Sequence, residues 1–263
     1  MEKFLEGKGA FITGAGAGFG REMALRFAEV GANLALNDIV LEPLEETAKM
    51  AKSKYGSEVI TVQADISKPD EVKVLTKEVF KECDNIFILV NNAGIDGGLY
   101  RTLACPIENY DKVMDVNVKG SWLIAKNFFR KMRLNKFEPI AGKIINIASC
   151  AGVITSLNPF IGMYSVSKAA LIALTKLWAL ELAPKMTCNA ISPGMFLTAK
   201  YRYDPDFMWS FLEARNVTLP LKRIGMPADV ASAALFLASP GADYITGDNI
   251  ILDGGMTTSI NKL

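Results

Sequence analysis

The sequence predicts an open parallel sheet with helices on both faces, a doubly wound α/β fold in a single domain, and three observations point to it. Short runs suited to strands alternate with helix-length amphipathic runs. Those short runs are apolar at nearly every position, as strands with both faces covered must be. A glycine-rich turn, "TGAGAGFG", follows the first of them and opens a helix.

The elements follow in order. "AFIT" is the first strand, followed by a helix over 19–30; "NLALN" is the second, followed by a helix over 42–54. "EVITVQ" leads to a helix over 70–82, and "NIFILVN" to a helix near 117–134. "KIINIAS" precedes a helix over 163–183, a strand near 187–192 precedes a helix near 227–238, and "NIILD" ends the series. Seven strands are therefore expected. No Pro/Gly/Ser-rich linker, internal repeat or low-complexity segment divides the 263 residues, and an apolar content of 50% is ample for one large core. The least regular stretch, 194–222, carries Phe196, Tyr201, Tyr203, Phe207, Met208, Trp209 and Phe211 among prolines and charges. It follows the carboxyl end of an expected strand, where open parallel sheets bind ligands, and is read as a substrate lid.

Composition removes several classes of function. Lys and Arg number 29 against 28 for Asp and Glu, without a long run of either sign, so a small molecule is a better partner than nucleic acid or a membrane surface. Cys83, Cys105, Cys150 and Cys188 have no C-x-x-C spacing and read as free thiols; no metal site is expected. The first residues lack an apolar secretory core, and no later run has the apolar length to span a bilayer, so a cytoplasmic protein is expected. Histidine is absent, which excludes Ser-His-Asp and Cys-His hydrolases, H-E-x-x-H zinc enzymes and dehydrogenases with a histidine base.

The glycine turn points to a dinucleotide. Gly14, Gly18 and Gly20, with Phe19 between the last two, enter a helix whose N-terminus favours a pyrophosphate, and glycine allows the backbone to approach it. Asp38 closes the second strand about 20 residues further on, where a carboxylate accepts hydrogen bonds from the adenosine ribose. It would repel a 2′-phosphate, and Ala15, Ala17, Ile39 and Val40 supply no cation, so NAD is preferred to NADP. Asp65 and Ile66 after the third strand, and Asn92, Ala93 and Gly94 after the fourth, fall on the same sheet edge and extend the cofactor groove. Asp65 is equally suited to cap the helix after it.

Tyr164 and Lys168 in "YSVSK" stand one helical turn apart on one face. With the other motifs they carry a resemblance. T-G-x-x-x-G-x-G at 13–20, N-N-A-G at 91–94, Asn117 in "VNVKG", Ser149 in "IINIAS", Y-x-x-x-K at 164–168 and P-G-x-x-x-T at 193–198 occur in the order of the short-chain dehydrogenase/reductase family. The whole chain resembles that family, through "YITGDNIILDGG", although the stretch from Ser149 to Tyr164 is slightly longer than usual.

The resemblance implies a Rossmann fold and a tetrad of Asn117, Ser149, Tyr164 and Lys168, with the backbone near Phe196 and the Thr198 hydroxyl on the nicotinamide carboxamide. A free tyrosine, with a pKa of about 10, is a poor base at neutral pH; a neighbouring ammonium and the cationic nicotinamide both favour its phenolate. Tyr164 is then the acid/base, Ser149 holds the substrate oxygen, Lys168 assists Tyr164 and the nicotinamide ribose, and Asn117 holds a relay water. The helix after Lys168, "AALIALTKLWALELA", is apolar on nearly every face, and with the resemblance this implies a homotetramer.

The activity expected is NAD-dependent interconversion of a secondary alcohol and its ketone. The aromatic 194–222 segment and the wall "GVITSLNPFIGM" favour a hydrophobic substrate: a cyclic or aromatic alcohol, a steroid-like ring or a β-hydroxyacyl thioester. Lys200, Arg202 and Arg215 are available to an acidic tail. A noncatalytic NAD-binding sensor or partner subunit is the competing class, against which the intact tetrad speaks.

Overall fold

A computed structural model of the chain describes residues 2–154, 160–198, 204–213 and 217–259, and within helix 205–213 nothing of the Phe207 and Phe211 side chains. Among these residues, strands β1 (Gly9–Thr13), β2 (Asn33–Asp38), β3 (Val59–Gln63), β4 (Ile86–Asn91), β5 (Gly142–Ile147), β6 (Met186–Pro193) and β7 (Asn249–Leu252) form one sheet in the order β3-β2-β1-β4-β5-β6-β7. Every pairing is parallel. The strands β1, β4, β5 and β6 are buried along their whole length; β1 and β4 accordingly run largely apolar without alternation, whereas β5 and β6 bury polar side chains such as Lys143, Asn146, Thr187 and Asn189.

Helices α1 (Gly18–Glu29), α2 (Leu41–Tyr55), α3 (Pro69–Glu82), α4 (Ile107–Met114), α5 (Ser121–Met132), α6 (Gly162–Leu182), α7 (Pro205–Glu213), α8 (Pro227–Ala238) and the short α9 (Met256–Ser259) complete the described elements. Their ends follow local chemistry. Pro69 and Pro227 stand in the first turns of α3 and α8, where a missing N–H costs nothing, and Gly56 closes α2 in the left-handed region at φ 71°. Met23, Phe27, Leu44 and Val230 place α1, α2 and α8 on one face of the sheet. Val72, Leu75, Phe128 and Trp178 place α3, α5 and α6 on the other. A third, smaller cluster joins Cys150, Met208, Leu212, Leu219, Ile224 and Met256 beneath α7.

Two segments differ from expectation. The helix expected near 117–134 is entered ten residues earlier through α4 and a π-helical turn at Asp115–Gly120. Only Val113 of α4 is buried, so "IENYDKVM" has too weak an apolar stripe to announce a helix. The irregular stretch holds α7, whose buried Met208 and Leu212 lie one turn apart. Tyr201, Tyr203, Lys200, Arg202, Arg215 and much of the wall after Gly152 lie outside the described residues.

The chain reverses its winding between β1 and β4, so the carboxyl ends of these neighbours open a crevice. Asp38 closes β2 at this edge, and Gly14, Asn92, Ser149 and Gly194 follow their strands there.

Candidate active site

The turn after β1 is built by close approach. Gly14 and Gly18 sit at φ 65° and 55°, and a Cβ on Gly20 would collide with the Gly14 carbonyl oxygen, so the turn can enter α1 this tightly only with glycine there. Asn92 fastens the turn to β4: its Nδ2 donates to the carbonyls of Thr13 and Gly14 at 2.9 and 3.0 Å. Thr13 answers with its hydroxyl, which accepts from the backbone N–H groups of Asn92 and Ala93 at 3.0 and 3.1 Å.

Asp38 ends β2 with its carboxylate accepting from Gly16 N–H at 2.9 Å and Val40 N–H at 3.1 Å. It lines a cavity of about 700 Å³ together with Gly14, Asp65, Ile66, Asn92, Ala93 and Gly94. Asp65 also serves the loop after β3, where it accepts from Ser67 N–H at 2.9 Å. Lys68 and Lys112 reach the same cavity. Arg21, just beyond the glycines, is turned to the protein: it donates to Gly16 O at 2.6 Å, Pro43 O at 3.1 Å and Thr47 Oγ1 at 2.9 Å, and pairs with Glu46 at 3.0 Å.

A second cavity, of about 440 Å³, shares Asn92, Gly94 and Ile95 with the first and is lined further by Phe19, Asp96, Ser149, Tyr164, Lys168, Phe196 and Thr198. The first turns of α6 present Tyr164 and Lys168 to it. Lys168 is buried, its Nζ donates to Ile147 O at 2.8 Å and lies 5.8 Å from the centre of the Tyr164 ring. Burial lowers its pKa to about 8, so the ammonium remains charged at neutral pH. Gly94 leaves this cation open: a Cβ there would lie 3.2 Å from both Lys168 Nζ and Asn117 Oδ1.

Ser149 caps the turn after β5, its Oγ accepting from Ala151 N–H at 3.1 Å. Because the oxygen is the acceptor, the hydroxyl hydrogen is not consumed by that bond. Asn117, turned inward on the π-helical segment, is wholly buried. Its amide exchanges two 2.8 Å bonds with the backbone of Ile95 and donates to Ser167 Oγ at 2.9 Å. Ser167 in turn donates to Tyr164 O at 2.7 Å. Asn117 therefore ties the strand end after β4 to the start of α6.

On the far wall Phe196 packs edge-on against Phe19 with ring centres 5.3 Å apart. The segment around Phe196 is pinned by Leu197 N–H to Gly225 O at 2.9 Å and Gly225 N–H to Met195 O at 3.0 Å. Thr198 lies at the edge of the described residues, within the lining.

The family model described as enoyl-(acyl carrier protein) reductase matches residues 14–257. The chain is also 38% identical over 251 residues to the NAD-dependent glycerol dehydrogenase of Listeria innocua serovar 6a, covering 95% of this chain and 94% of that protein. The chain belongs to the short-chain dehydrogenase/reductase family. Another member, the 2-(R)-hydroxypropyl-CoM dehydrogenase of Xanthobacter autotrophicus, is 37% identical over 255 residues, covering 94% of this chain and 98% of its own. A solved 7α-hydroxysteroid dehydrogenase, complexed with NADH and 7-oxo glycochenodeoxycholic acid, superposes with a TM-score of 0.87 at 30% identity, covering 97% and 96% of the two chains. Family membership makes the chain an oxidoreductase working between alcohols and carbonyl compounds.

Residues beyond those expected from the sequence also build the groove: Thr13, Gly16, Arg21, Asp96 and Ser167 all touch it or the groups lining it. Thr13, Gly16 and Arg21 stand in or beside the quoted glycine turn and were within reach as positions. The pairing of Thr13 was not, because its partner Asn92 is 79 residues away.

Proposed function

We propose that the chain is an NAD-dependent dehydrogenase interconverting a secondary alcohol and its ketone, working in the cytoplasm as a homotetramer. The carrying observation is that Ser149, Tyr164 and Lys168 line one cavity that abuts the glycine cradle through Asn92, Gly94 and Ile95. The cradle suits a dinucleotide: Gly14, Gly18, Phe19 and Gly20 take the pyrophosphate, and Asp38 takes the adenosine ribose. Asp65, Ile66, Asn92, Ala93 and Gly94 line the adenine side and the floor, and Phe196 and Thr198 hold the carboxamide. NAD rather than NADP is supported by Asp38 and by Arg21, whose donors are engaged by Gly16, Pro43, Thr47 and Glu46 rather than offered to a 2′-phosphate.

Bound there, NAD supplies the acceptor or donor of the hydride. Ser149 donates to the substrate oxygen and fixes the carbinol carbon in the cavity. In oxidation Tyr164, as phenolate, takes the hydroxyl proton while the hydride leaves the carbinol carbon; in reduction the phenol returns a proton to the carbonyl oxygen. Lys168, charged and 5.8 Å from the ring centre, favours the phenolate, and Asn117 keeps the floor and α6 in register. The apolar lining from Ile95, Ile147, Ala148, Pro193 and Phe196 suits a hydrophobic substrate body, with the 194–222 segment as lid.

The tetramer is supported by an exposed apolar stripe on α6, where Val166, Leu177 and Leu180 are 45%, 54% and 80% exposed. The cytoplasmic reading rests on four free thiols and on there being no described helix long and apolar enough to cross a membrane.

The test is absorbance-monitored NAD⁺ reduction with hydrophobic secondary alcohols, beside NADP⁺. Tyr164→Phe is expected to bind NADH and lose at least about a hundredfold in kcat. Asp38→Ala is expected to weaken NAD about tenfold or more while sparing NADP. Retained turnover in the first variant, or an unchanged cofactor preference in the second, contradicts the assignment concerned.

A further inference from the structure

Gly16 falls on one of the unspecified positions of T-G-x-x-x-G-x-G, and unlike Gly14 and Gly18 it has no positive φ, so the turn itself does not require glycine there. What requires it is Asp38. A Cβ on Gly16 would stand 2.9 Å from Asp38 Oδ2 and 3.2 Å from its Cγ, pushing the carboxylate aside. Without that Cβ, Gly16 N–H donates to Oδ2 at 2.9 Å while Val40 N–H donates to Oδ1 at 3.1 Å. Each carboxylate oxygen is thus held by one backbone group and keeps lone pairs for a ligand. Gly16 is held in turn from its other side. Its carbonyl accepts from Arg21 at 2.6 Å, and Arg21 is fastened to the first turns of α2 through Pro43 O and the hydroxyl of the buried Thr47. The pair of Arg21 with Glu46 adds little, because the Glu46 side chain is 59% exposed.

A carboxylate favours a ribose hydroxyl only as well as it is aimed, because a hydrogen bond weakens steeply with angle, whereas its repulsion of a 2′-phosphate falls off slowly with distance. We infer that Gly16 and Arg21 set the cofactor preference at one remove: Arg21 holds Gly16 in place, and Gly16 aims the Asp38 carboxylate at the adenosine ribose hydroxyls of NAD. Both are positioning residues that act through Asp38. Loosening either one takes the hydrogen bonds from NAD and leaves the repulsion of NADP nearly as it was. This inference rests on the NAD reading and deepens it.

Fluorescence titration with NADH and with NADPH reads the effect as the ratio of their dissociation constants. Arg21→Met and Gly16→Ala are each expected to weaken NADH about fivefold, the contribution of one hydrogen bond, and to change NADPH by less than about twofold. The decisive comparison is a double-mutant cycle with Asp38→Ala. In that background neither substitution is expected to move the ratio further, because the carboxylate they aim is gone. Circular dichroism establishes that each variant is folded, and Gly16→Ala carries the test alone if Arg21→Met is not. An unchanged ratio in a folded single variant means that the residue merely holds the turn, and a loss confined to NADPH means that it serves the 2′-phosphate; either overturns the inference. So does a ratio that falls as far without Asp38 as with it. If Asp38→Ala itself leaves the preference unchanged, the NAD reading fails and the inference falls with it.

Discussion

Lys168 shows how the site works against the stability of the fold. A solvated lysine has an ordinary pKa of 10.5, and burial lowers this one to about 8. Below that pH the folded chain holds a desolvated cation at a cost of about 3 kcal/mol, offset by about 1 kcal/mol from the bond to the Ile147 carbonyl. Lys168→Met is therefore expected to abolish turnover and raise stability by about 2 kcal/mol at pH 7, read as a higher Tm. The sign with pH follows from linkage. Between about 8 and 10.5 the unfolded chain binds this proton and the folded chain does not, so this residue's contribution to stability rises with pH across that window and is lost as pH falls through about 8. Wild type should gain on Lys168→Met over that range in urea denaturation, and parallel pH profiles would contradict the account. At this scale the sequence was most legible where spacing or sterics act locally: Tyr164 and Lys168, one turn apart, do line one cavity, and Gly20 leaves no room for a Cβ. It was least legible where an ordinary side chain acts across the fold: nothing near Thr13 or Ser167 in the sequence names Asn92 or Asn117 as a partner.

Among the elements, α6 matters most, because its first turns carry Tyr164 and Lys168 and its later turns must hold them still. A buried chain of side chains does so. Asn91 on β4 donates to Asn146 on β5 at 2.8 Å, and Asn146 donates to Thr175 on α6 at 2.8 Å. Asn146→Leu would strand the Asn91 amide in the core and cost the Thr175 hydroxyl the bond it accepts, leaving only its donation to Leu171 O, at a cost of roughly 2–3 kcal/mol, measurable by chemical denaturation. A change below about 0.5 kcal/mol would mean that the chain is not structural. The strands and the helices on the sheet faces were legible from apolar periodicity. The helices α4 and α7 were not: one buries a single side chain, and the other lies among prolines and charges, its buried Met208 and Leu212 packing on the separate cluster around Cys150. Nor does composition announce a π-helical turn, although that turn is what points Asn117 inward.

For the whole molecule, the order of the sheet makes a single edge do all the work: the switch between β1 and β4 brings the glycine turn, Asp38, Asn92 and Ser149 around one crevice. The opposite requirement, covering apolar surface, falls on α6. Placing charge at both of its most exposed leucines, with Leu177→Glu and Leu180→Glu together, is expected to shift a tetramer to smaller species in light-scattering chromatography with NADH binding retained. A wild-type monomer would remove the assembly proposal without touching the site. The proposed function turns on hydride passing between a secondary carbinol carbon and NAD in the cavity that Tyr164 and Ser149 line. The measurement that bears on it without intermediaries supplies NAD⁺ with 1-phenylpropan-2-ol deuterated at carbon 2 and weighs the cofactor produced. One deuterium per NADH formed is expected, with transfer lost in Tyr164→Phe. Turnover that left the cofactor unlabelled, or labelled it equally in that variant, would overturn the dehydrogenase reading.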